Sequence, residues 1–139
     1  MTRATITPEE YRAMAKPTRN KYNARKVHAD GYTFDSQDEY RRYKELLILQ
    51  AAGEIKDLYV HPRYPLQPAF IDNDGTRYRS IHYTADFLYR HIPTARWIVE
   101  DVKSEATAKS EAFRIRWRLF RRMHRSVWGF IMQYGKGGK

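Results

Sequence analysis

The sequence contains no cysteine and no apolar stretch long enough to cross a membrane. The absence of cysteine excludes disulfide bonds, thiolate zinc sites, iron–sulfur clusters and a cysteine nucleophile. A membrane-spanning helix needs about 18 or more consecutive apolar residues, and neither that pattern nor a signal peptide follows Met1. We therefore expect a soluble, cytoplasmic protein that does not bind a membrane.

The chain has a large excess of positive over negative charge. The 26 Lys and Arg residues outnumber the 16 Asp and Glu residues, which gives a net charge of +10. Residues 1–33 contain seven basic and three acidic residues, and residues 107–125 contain seven basic residues and one acidic residue. Such segments attract the phosphates of a nucleic acid, although a solvated basic face is a common alternative. DNA is the partner that this charge distribution favours.

The length of 139 residues predicts one folded domain. We expect a basic arm at 1–33 with a short helix near 8–15, a folded domain at 34–134 and a flexible tail at 135–139. Local signals predict a turn at Asp30-Gly31, a helix from Ser36 to Gly53, a strand at 55–60, a proline-rich connection at 62–68, a turn at 73–75, strands at 78–90 and 96–103, a helix at 107–124 and a strand at 127–132. This order predicts an α+β fold in which helices cover a central mixed sheet.

Two aspartates occupy strand positions where apolar side chains are expected. In WIVEDVK (97–103), alternation places Asp101 and Lys103 on one face of the strand and Glu100 on the other. Asp86 lies within YTADFLY (83–89), which is otherwise typical of a buried strand. A buried carboxylate is unfavourable unless it is paired or bound to a cation. An ion pair between Lys103 and either aspartate would meet that need without any catalytic function.

Glu39 is predicted to face the core from the first helix. It is also the third helical residue of a capping box that begins at Ser36, where it would only accept an N–H at the helix start. On a helical wheel, however, Leu46 and Tyr43 lie within about 40° of Glu39. Three converging carboxylates repel one another unless a divalent cation lies between them, and oxygen ligands suit Mg²⁺ or Mn²⁺ better than zinc. The five histidines show no metal-ligand spacing and are interpreted as surface or packing residues.

The second predicted helix has a basic ridge, with four residues within about 40° on the wheel: Arg114, Arg118, Arg121 and Arg125. A ridge of this kind suits contacts with phosphates, and the alternative is a solvent-facing stripe. The opposite side of the helix is apolar and contains Ala112, Leu119 and Met123. Arg116 falls among these apolar positions, so we expect it to point toward the sheet. There it would contact the scissile phosphate or an active-site carboxylate, or extend past the core to solvent.

Five segments together resemble a family of small phage and prophage proteins, catalogued as a domain of unknown function and similar to PD-(D/E)XK nucleases. The segments are KYNARKV (21–27), DGYTFDSQDEYRRYKEL (30–46), AAGEIKDLYVHPRYPL (51–66), YTADFLY (83–89) and VEDVK (99–103). The resemblance covers about residues 20–132. The chain is also similar to archaeal-type Holliday junction resolvases, which have this nuclease core and act as homodimers on four-way DNA junctions.

The resemblance implies a restriction-endonuclease-like PD-(D/E)XK core and an active site of four residues. Glu39 would be the helix carboxylate, Asp86 the motif aspartate, and Asp101 with Lys103 the D-x-K element. Glu39, Asp86 and Asp101 would be the metal ligands. Alanine replaces the usual proline before Asp86, and the adjacent Glu100 is an alternative ligand to Asp101 that alternation places on the wrong face.

The resemblance also implies an activity: a Mg²⁺-dependent endonuclease that hydrolyses DNA phosphodiesters, in which Mn²⁺ can substitute. The expected substrate is a four-way junction, the expected assembly is a homodimer, and a phage-encoded protein would act in the host cytoplasm. Alternatives are a nickase, a flap or branched-DNA nuclease in phage replication or packaging, and a non-catalytic DNA-binding protein. The predicted DNA-binding residues are Lys21, Arg25, Lys26, Arg114, Arg116, Arg118, Arg121 and Arg125.

Overall fold

Two helices pack on opposite faces of a four-stranded sheet in the computed structural model, which describes residues 25–132. The strands are β1 Val27–Ala29, β2 Tyr32–Phe34, β3 Ile55–Val60, β4 Arg63–Gln67, β5 Phe70–Ile71, β6 Arg77–Tyr78, β7 Ile81–Thr84, β8 Phe87–His91, β9 Arg96–Val102 and β10 Trp128–Met132. The helices are α1 Gln37–Ala51, α2 Glu105–Ala108 and α3 Glu111–Met123. The predicted helix near 8–15, Lys21 and the predicted tail lie outside the described residues.

The central sheet is mixed, as predicted. Its strand order is β10-β9-β8-β3, with β10 parallel to β9 and the other neighbours antiparallel. The chain passes from β9 through α2 and α3 before it returns as β10, which is the kind of crossover that a parallel pair requires. The α+β class and the helix-covered sheet are therefore confirmed.

Alternation along β9 separates two cores, one on each face of the sheet. Ile98 belongs to the core beneath α1, which includes Tyr43 and Leu46. Val99 belongs to the core beneath α3, which includes Phe120. The period of two therefore holds through this strand, and adjacent residues of β9 lie in different environments.

Helix α1 follows its sequence signals closely. The Ser36 side chain accepts a hydrogen bond from the backbone N–H of Glu39 at 3.1 Å, as expected of an N-cap residue. Gly53 follows the helix with a φ of +80°, a left-handed conformation that glycine adopts without a steric penalty. The buried residues of the helix are Glu39, Tyr43 and Leu46, the same face that the wheel predicts.

A β-hairpin, β1–β2, precedes α1 within the segment interpreted as a basic arm. Its turn is the predicted one, with positive φ at both Asp30 and Gly31. The flanking strands have only three residues each, too few for alternation to predict them. Phe34 is fully buried in the core beneath α1, so the folded part of the chain begins before residue 34.

A long antiparallel hairpin begins within the central sheet and extends beyond its edge. Its base is the β3–β8 pair, its middle is β4–β7 and its tip is β5–β6. The continuous strand predicted at 78–90 is divided because Ala85 and Asp86 leave the strand geometry. The proline-rich connection predicted at 62–68 contains β4, in which Pro65 pairs with His82. In the part of the chain that the structure describes, no helix is long and apolar enough to span a membrane.

Candidate active site

The candidate site lies at the bend of the long hairpin, beside the start of α1. Two backbone hydrogen bonds hold the hairpin strands together at the bend. The N–H of His61 donates to the carbonyl of Asp86 at 2.8 Å, and the N–H of Ala85 donates to the carbonyl of Pro62 at 3.0 Å. This pairing fixes His61 and Asp86 opposite each other.

Glu39 enters the site from the first turn of α1. Its side chain is almost fully buried, and its Oε2 accepts the backbone N–H of Asp35 at 2.9 Å. Its Oε1 lies 2.7 Å from Nε2 of His61. One carboxylate oxygen thus bonds the backbone just before the helix, at Asp35 and not at the Ser36 N–H that a capping box uses, while the other oxygen faces the hairpin bend.

Asp86 lies between two further carboxylates. It is buried, and its Oδ2 accepts the backbone N–H of Val102 at 2.6 Å. Burial raises the pKa of Asp86 well above its usual range, and the charges of Asp101 and Glu39 and a hydrogen bond with Asp101 raise it further. The positive charge of Lys103 opposes the increase without cancelling it. Asp86 is therefore close enough to Glu39 and Asp101 to be affected by the charge of both, although the group of ligand atoms within 4.8 Å of one another contains Glu39, Asp86 and His61 and not Asp101.

Asp101 and Lys103 emerge side by side from the end of β9, as alternation predicts. Asp101 Oδ1 lies 3.1 Å from Lys103 Nζ, and Asp101 Oδ2 accepts a short hydrogen bond from the Tyr83 hydroxyl. Burial lowers the pKa of Lys103, but the negative charges of Asp101 and Asp86 outweigh that effect and the pKa is raised. Lys103 therefore carries a positive charge at neutral pH in the metal-free protein.

The donors at the site are suited to a divalent cation. Glu39, His61 and Asp86 each offer one ligand atom, and the three atoms lie within 4.8 Å of one another. Asp101 Oδ1 is buried beside this group without a well-oriented hydrogen-bond donor, although Lys103 forms an ion pair with it. Three buried carboxylates share a single lysine, so the cluster has an excess of negative charge that a cation would compensate.

Glu100 does not belong to this cluster. It is fully buried on the other face of β9, where its carboxylate accepts hydrogen bonds from Arg42 Nε at 2.6 Å and from the Tyr89 hydroxyl at 3.2 Å. Burial raises the pKa of Glu100 in spite of the opposing effect of Arg42. Of the two adjacent acids, Asp101 is the one that reaches the site.

His61 is the site residue that sequence reasoning missed. The five histidines are interpreted mainly as surface or packing residues, whereas His61 also contacts Glu39 and lies within the acid cluster. No local spacing identifies it. The signal is non-local: once strand 55–60 is paired with the strand after Asp86, His61 stands opposite Asp86.

The basic ridge of the second predicted helix is only partly present. Arg114 and Arg118 are exposed, and with Glu111 and Ile115 they line a surface depression of about 380 Å³. Arg121 is half-buried and donates a short hydrogen bond to the carbonyl of Val127. Arg125 follows the end of α3 and is exposed. Of the three ridge residues that lie on the helix itself, Arg114 and Arg118 are the exposed ones.

The prediction that Arg116 points toward the sheet is wrong, because its side chain is exposed. Helix α3 packs on the sheet through its aromatic side, formed by Phe113, Trp117 and Phe120. The apolar side used for the prediction stays in solvent instead, with Leu119 42% and Met123 53% exposed.

Two predicted DNA-binding residues of the arm lie at the start of the described chain. Arg25 is exposed and Lys26 is partly exposed, and both precede β1. Their exposure leaves both charges accessible to a ligand.

Comparison with known proteins identifies a family. Residues 19–136 match the family described as "Protein of unknown function (DUF1064)", and the chain belongs to that family. Searches of curated proteins and of solved structures returned no match.

Proposed function

We propose that this member of the family is a divalent-cation-dependent DNA endonuclease with a PD-(D/E)XK core. The observation that carries the proposal is the convergence of Glu39, Asp86, Asp101 and Lys103, which come from a helix start, a hairpin bend and a strand end. Buried acids next to one lysine are unfavourable for stability alone, and perturbed ionisable groups of this kind cluster at functional sites. The resemblance of the sequence to small phage and prophage proteins that are similar to PD-(D/E)XK nucleases favours the same activity.

The proposed reaction is hydrolysis of a phosphodiester bond. Water adds to phosphorus, the bond from phosphorus to one bridging oxygen breaks, and the leaving oxygen takes a proton. Glu39, Asp86 and Asp101 would hold Mg²⁺ or Mn²⁺. When bound, the cation would neutralise charge on the phosphate and acidify a coordinated water.

The residues of the chain would contribute position and charge. Asp101 holds Lys103 at 3.1 Å, so the ammonium group is fixed at the edge of the cluster. Lys103, whose pKa the neighbouring acids raise in the metal-free protein, would stabilise negative charge on the phosphate or orient the nucleophile. The Tyr83 hydroxyl bonds the second oxygen of Asp101 and restricts its rotation.

Substrate binding would use the basic residues outside the cluster. Arg114, Arg118, Arg25 and Lys26 are accessible to flanking phosphates, and binding through them would weaken steeply as salt increases. Selectivity for four-way junctions and a homodimeric assembly are proposed from the resemblance to Holliday junction resolvases, because two symmetric cuts require two active sites.

Two adjacent acids of β9 provide the test. Wild-type protein, Asp101→Asn and Glu100→Gln would be incubated with labelled four-way junction, duplex, single-stranded and flap DNA, with Mg²⁺, Mn²⁺ or EDTA. We expect Asp101→Asn to reduce cleavage by about a thousandfold or more, equivalent to several kcal/mol of transition-state stabilisation, while it binds DNA at least as well as wild type. Glu100→Gln should still cleave, because Glu100 lies on the other face of the strand.

The same experiment distinguishes the alternatives. Cleavage of one strand of duplex DNA would favour a nickase, and cleavage confined to flaps would favour a flap nuclease. Binding of DNA without cleavage of any substrate, with either cation, would contradict the proposal and favour a non-catalytic DNA-binding protein.

A further inference from the structure

His61 faces the acid cluster from the hairpin bend. Its Nε2 lies 2.7 Å from Glu39 Oε1, and His61, Glu39 and Asp86 each offer one ligand atom within 4.8 Å of the other two. The imidazole is partly exposed, with 27% of its side-chain surface accessible, whereas the Glu39 side chain is 3% exposed. His61 therefore lies between the buried carboxylates and solvent, where an entering ion would meet it.

The fold directs this side chain into the site. His61 has a φ of +56°, in the left-handed region that is unfavourable for residues with a Cβ atom. Its ring packs against Phe34 and Tyr32 of the β1–β2 hairpin, with centroid distances of 5.8 and 6.5 Å. The backbone turn and these two aromatic rings together fix the direction in which the imidazole points.

The spacing of the donors matches that of neighbouring ligands on one ion. Metal–ligand bonds of about 2.1 Å in an octahedral site place adjacent ligand atoms about 3.0 Å apart and opposite ones about 4.2 Å apart. The 2.7 Å between His61 Nε2 and Glu39 Oε1 is close to the first value, and the ligand atom of Asp86 lies within 4.8 Å of both. Beside this group, the buried Asp101 Oδ1 contacts Lys103 Nζ at 3.1 Å and has no further partner among the described residues, which leaves one of its lone pairs for a cation.

We infer that His61 is a nitrogen ligand of the cation site, in addition to the carboxylates, and that it makes the site prefer Mn²⁺ to Mg²⁺. Mg²⁺ strongly favours oxygen ligands, whereas first-row transition-metal ions also accept imidazole nitrogen. On binding, the Nε2 proton that bonds Glu39 Oε1 would leave to solvent or be replaced by a proton on Nδ1, and the freed Nε2 lone pair and Oε1 would both turn to the ion. The inference rests on the proposed function, because the cation that His61 binds would be the one required for DNA cleavage.

The direct test is spectroscopic and needs no substrate. The full chain would be loaded with Mn²⁺, and electron spin-echo envelope modulation would be recorded. A modulation from one directly coordinated ¹⁴N is expected for wild type. The absence of nitrogen coupling in wild-type protein that binds Mn²⁺ would overturn the inference without any variant.

The variant test uses His61→Asn. Asparagine tolerates the left-handed conformation at this position and replaces the nitrogen ligand with an amide oxygen. We expect the nitrogen modulation to disappear and the affinity for Mn²⁺ to fall about tenfold or more, while the affinity for Mg²⁺, measured by calorimetry, stays within about threefold. His61→Gly provides a second variant if the asparagine protein does not fold, since glycine relieves the positive φ.

The matched control is His91→Asn. His91 also lies near a single glutamate, with its Nε2 3.8 Å from Glu54, but at the opposite end of β8 from Asp86. This variant should bind both cations as wild type does. Equal losses of Mn²⁺ affinity in His61→Asn and His91→Asn would overturn the inference, because they would indicate non-specific histidine binding.

Cleavage assays separate this inference from the proposed function. If His61→Asn loses its preference for Mn²⁺ and still cleaves DNA with Mg²⁺, both are supported. If wild type shows the nitrogen coupling and cleaves no DNA, the nuclease proposal fails, whereas the assignment of His61 as a metal ligand is supported. If cleavage occurs and the preference is unchanged in His61→Asn, the nuclease stands and the role of His61 is overturned.

Discussion

Asp86 accepts a hydrogen bond of 2.6 Å from the backbone N–H of Val102, the residue that separates Asp101 from Lys103. The aspartate at the hairpin bend is therefore linked to the end of β9 by a main-chain bond that does not use the other acidic side chains. Replacement of Asp86 by asparagine keeps an oxygen that can accept this N–H while it removes the charge. The variant thus tests charge without loss of the link.

We expect Asp86→Asn to raise the free energy of unfolding of the metal-free protein at pH 8. The pKa of Asp86 is raised in the folded state, first by burial and then by the charges of Asp101 and Glu39. Below the pKa of the unfolded chain, about 3.9, the carboxyl is protonated in both states and costs nothing. As the pH rises from there toward the folded pKa, the unfolded state loses its proton first, so wild-type stability falls.

The measurement is urea unfolding of wild type and Asp86→Asn in EDTA at pH 4 and pH 8. The free energy of unfolding of Asp86→Asn should exceed that of wild type by a small amount at pH 4 and by a larger amount at pH 8. Addition of Mn²⁺ at pH 8 should stabilise wild type by mass action and leave Asp86→Asn almost unchanged. A variant that is less stable than wild type at both pH values would contradict the argument from charge.

The pair formed by Arg42 and Glu100 should be a major contributor to stability. Glu100 is fully buried, and the two side chains meet at 2.6 Å. Arg42→Met leaves that carboxylate without its counterion and should cost about 3–5 kcal/mol in the free energy of unfolding. Denaturant unfolding measures the loss, and the double variant Arg42→Met/Glu100→Gln should recover much of it. If the double variant is no more stable than Arg42→Met alone, the explanation from an unpaired charge is wrong.

Gly129 of β10 lies against the Trp117 side chain of α3. A Cβ atom there would lie 2.8 and 2.9 Å from Cη2 and Cζ2 of Trp117. Gly129→Ala should therefore destabilise the protein by about 1–3 kcal/mol through overpacking, measured by thermal or urea unfolding. In a Trp117→Phe background the same substitution should cost less. A useful comparison is Gly75→Ala at the hairpin tip, where no atom lies within 4 Å and only the positive φ is unfavourable.

DNA affinity should depend on salt through Arg114 and Arg118. Each phosphate contact contributes about 0.9 to the slope of log K against log salt concentration, so the double alanine variant should reduce that slope by about 1.8. Binding would be measured by fluorescence anisotropy over a range of salt concentrations, in EDTA so that the DNA is not cleaved. The double variant Arg41→Ala/Lys44→Ala, on the exposed side of α1, is the control of equal charge change. If the α3 variant and the α1 control reduced the slope equally, the protein would attract DNA through its overall charge and not through a localised binding surface on α3.

The sequence predicts the elements whose signals are local. Ser36 and Gly53 mark the ends of α1, and alternation in β9 places Asp101 and Glu100 on opposite faces, as the structure confirms. The turn at Asp30-Gly31 is also predicted by its residue types. Each of these features depends on a few neighbouring residues and on backbone geometry.

The features that were missed depend on pairing between distant segments. Strand β4 contains Pro65 and is recognisable only with β7 beside it, and His61 is a site residue only because the hairpin register sets it opposite Asp86. Helix α3 has two apolar sides, one with Phe113 and Trp117 and the other with Leu119 and Met123. The wheel alone does not decide between them, and contact with the sheet selects the aromatic side.

The long hairpin consists of a bend that positions His61 and Asp86 and an exposed part that lies beyond the bend. Residues 67–81 are all exposed, whereas the bend itself is fixed by main-chain bonds at His61 and Ala85. The length and composition of the tip can therefore vary between relatives, or be exchanged by an engineer, without displacing the carboxylates. We therefore expect differences in length and sequence among family members to be concentrated in that projection.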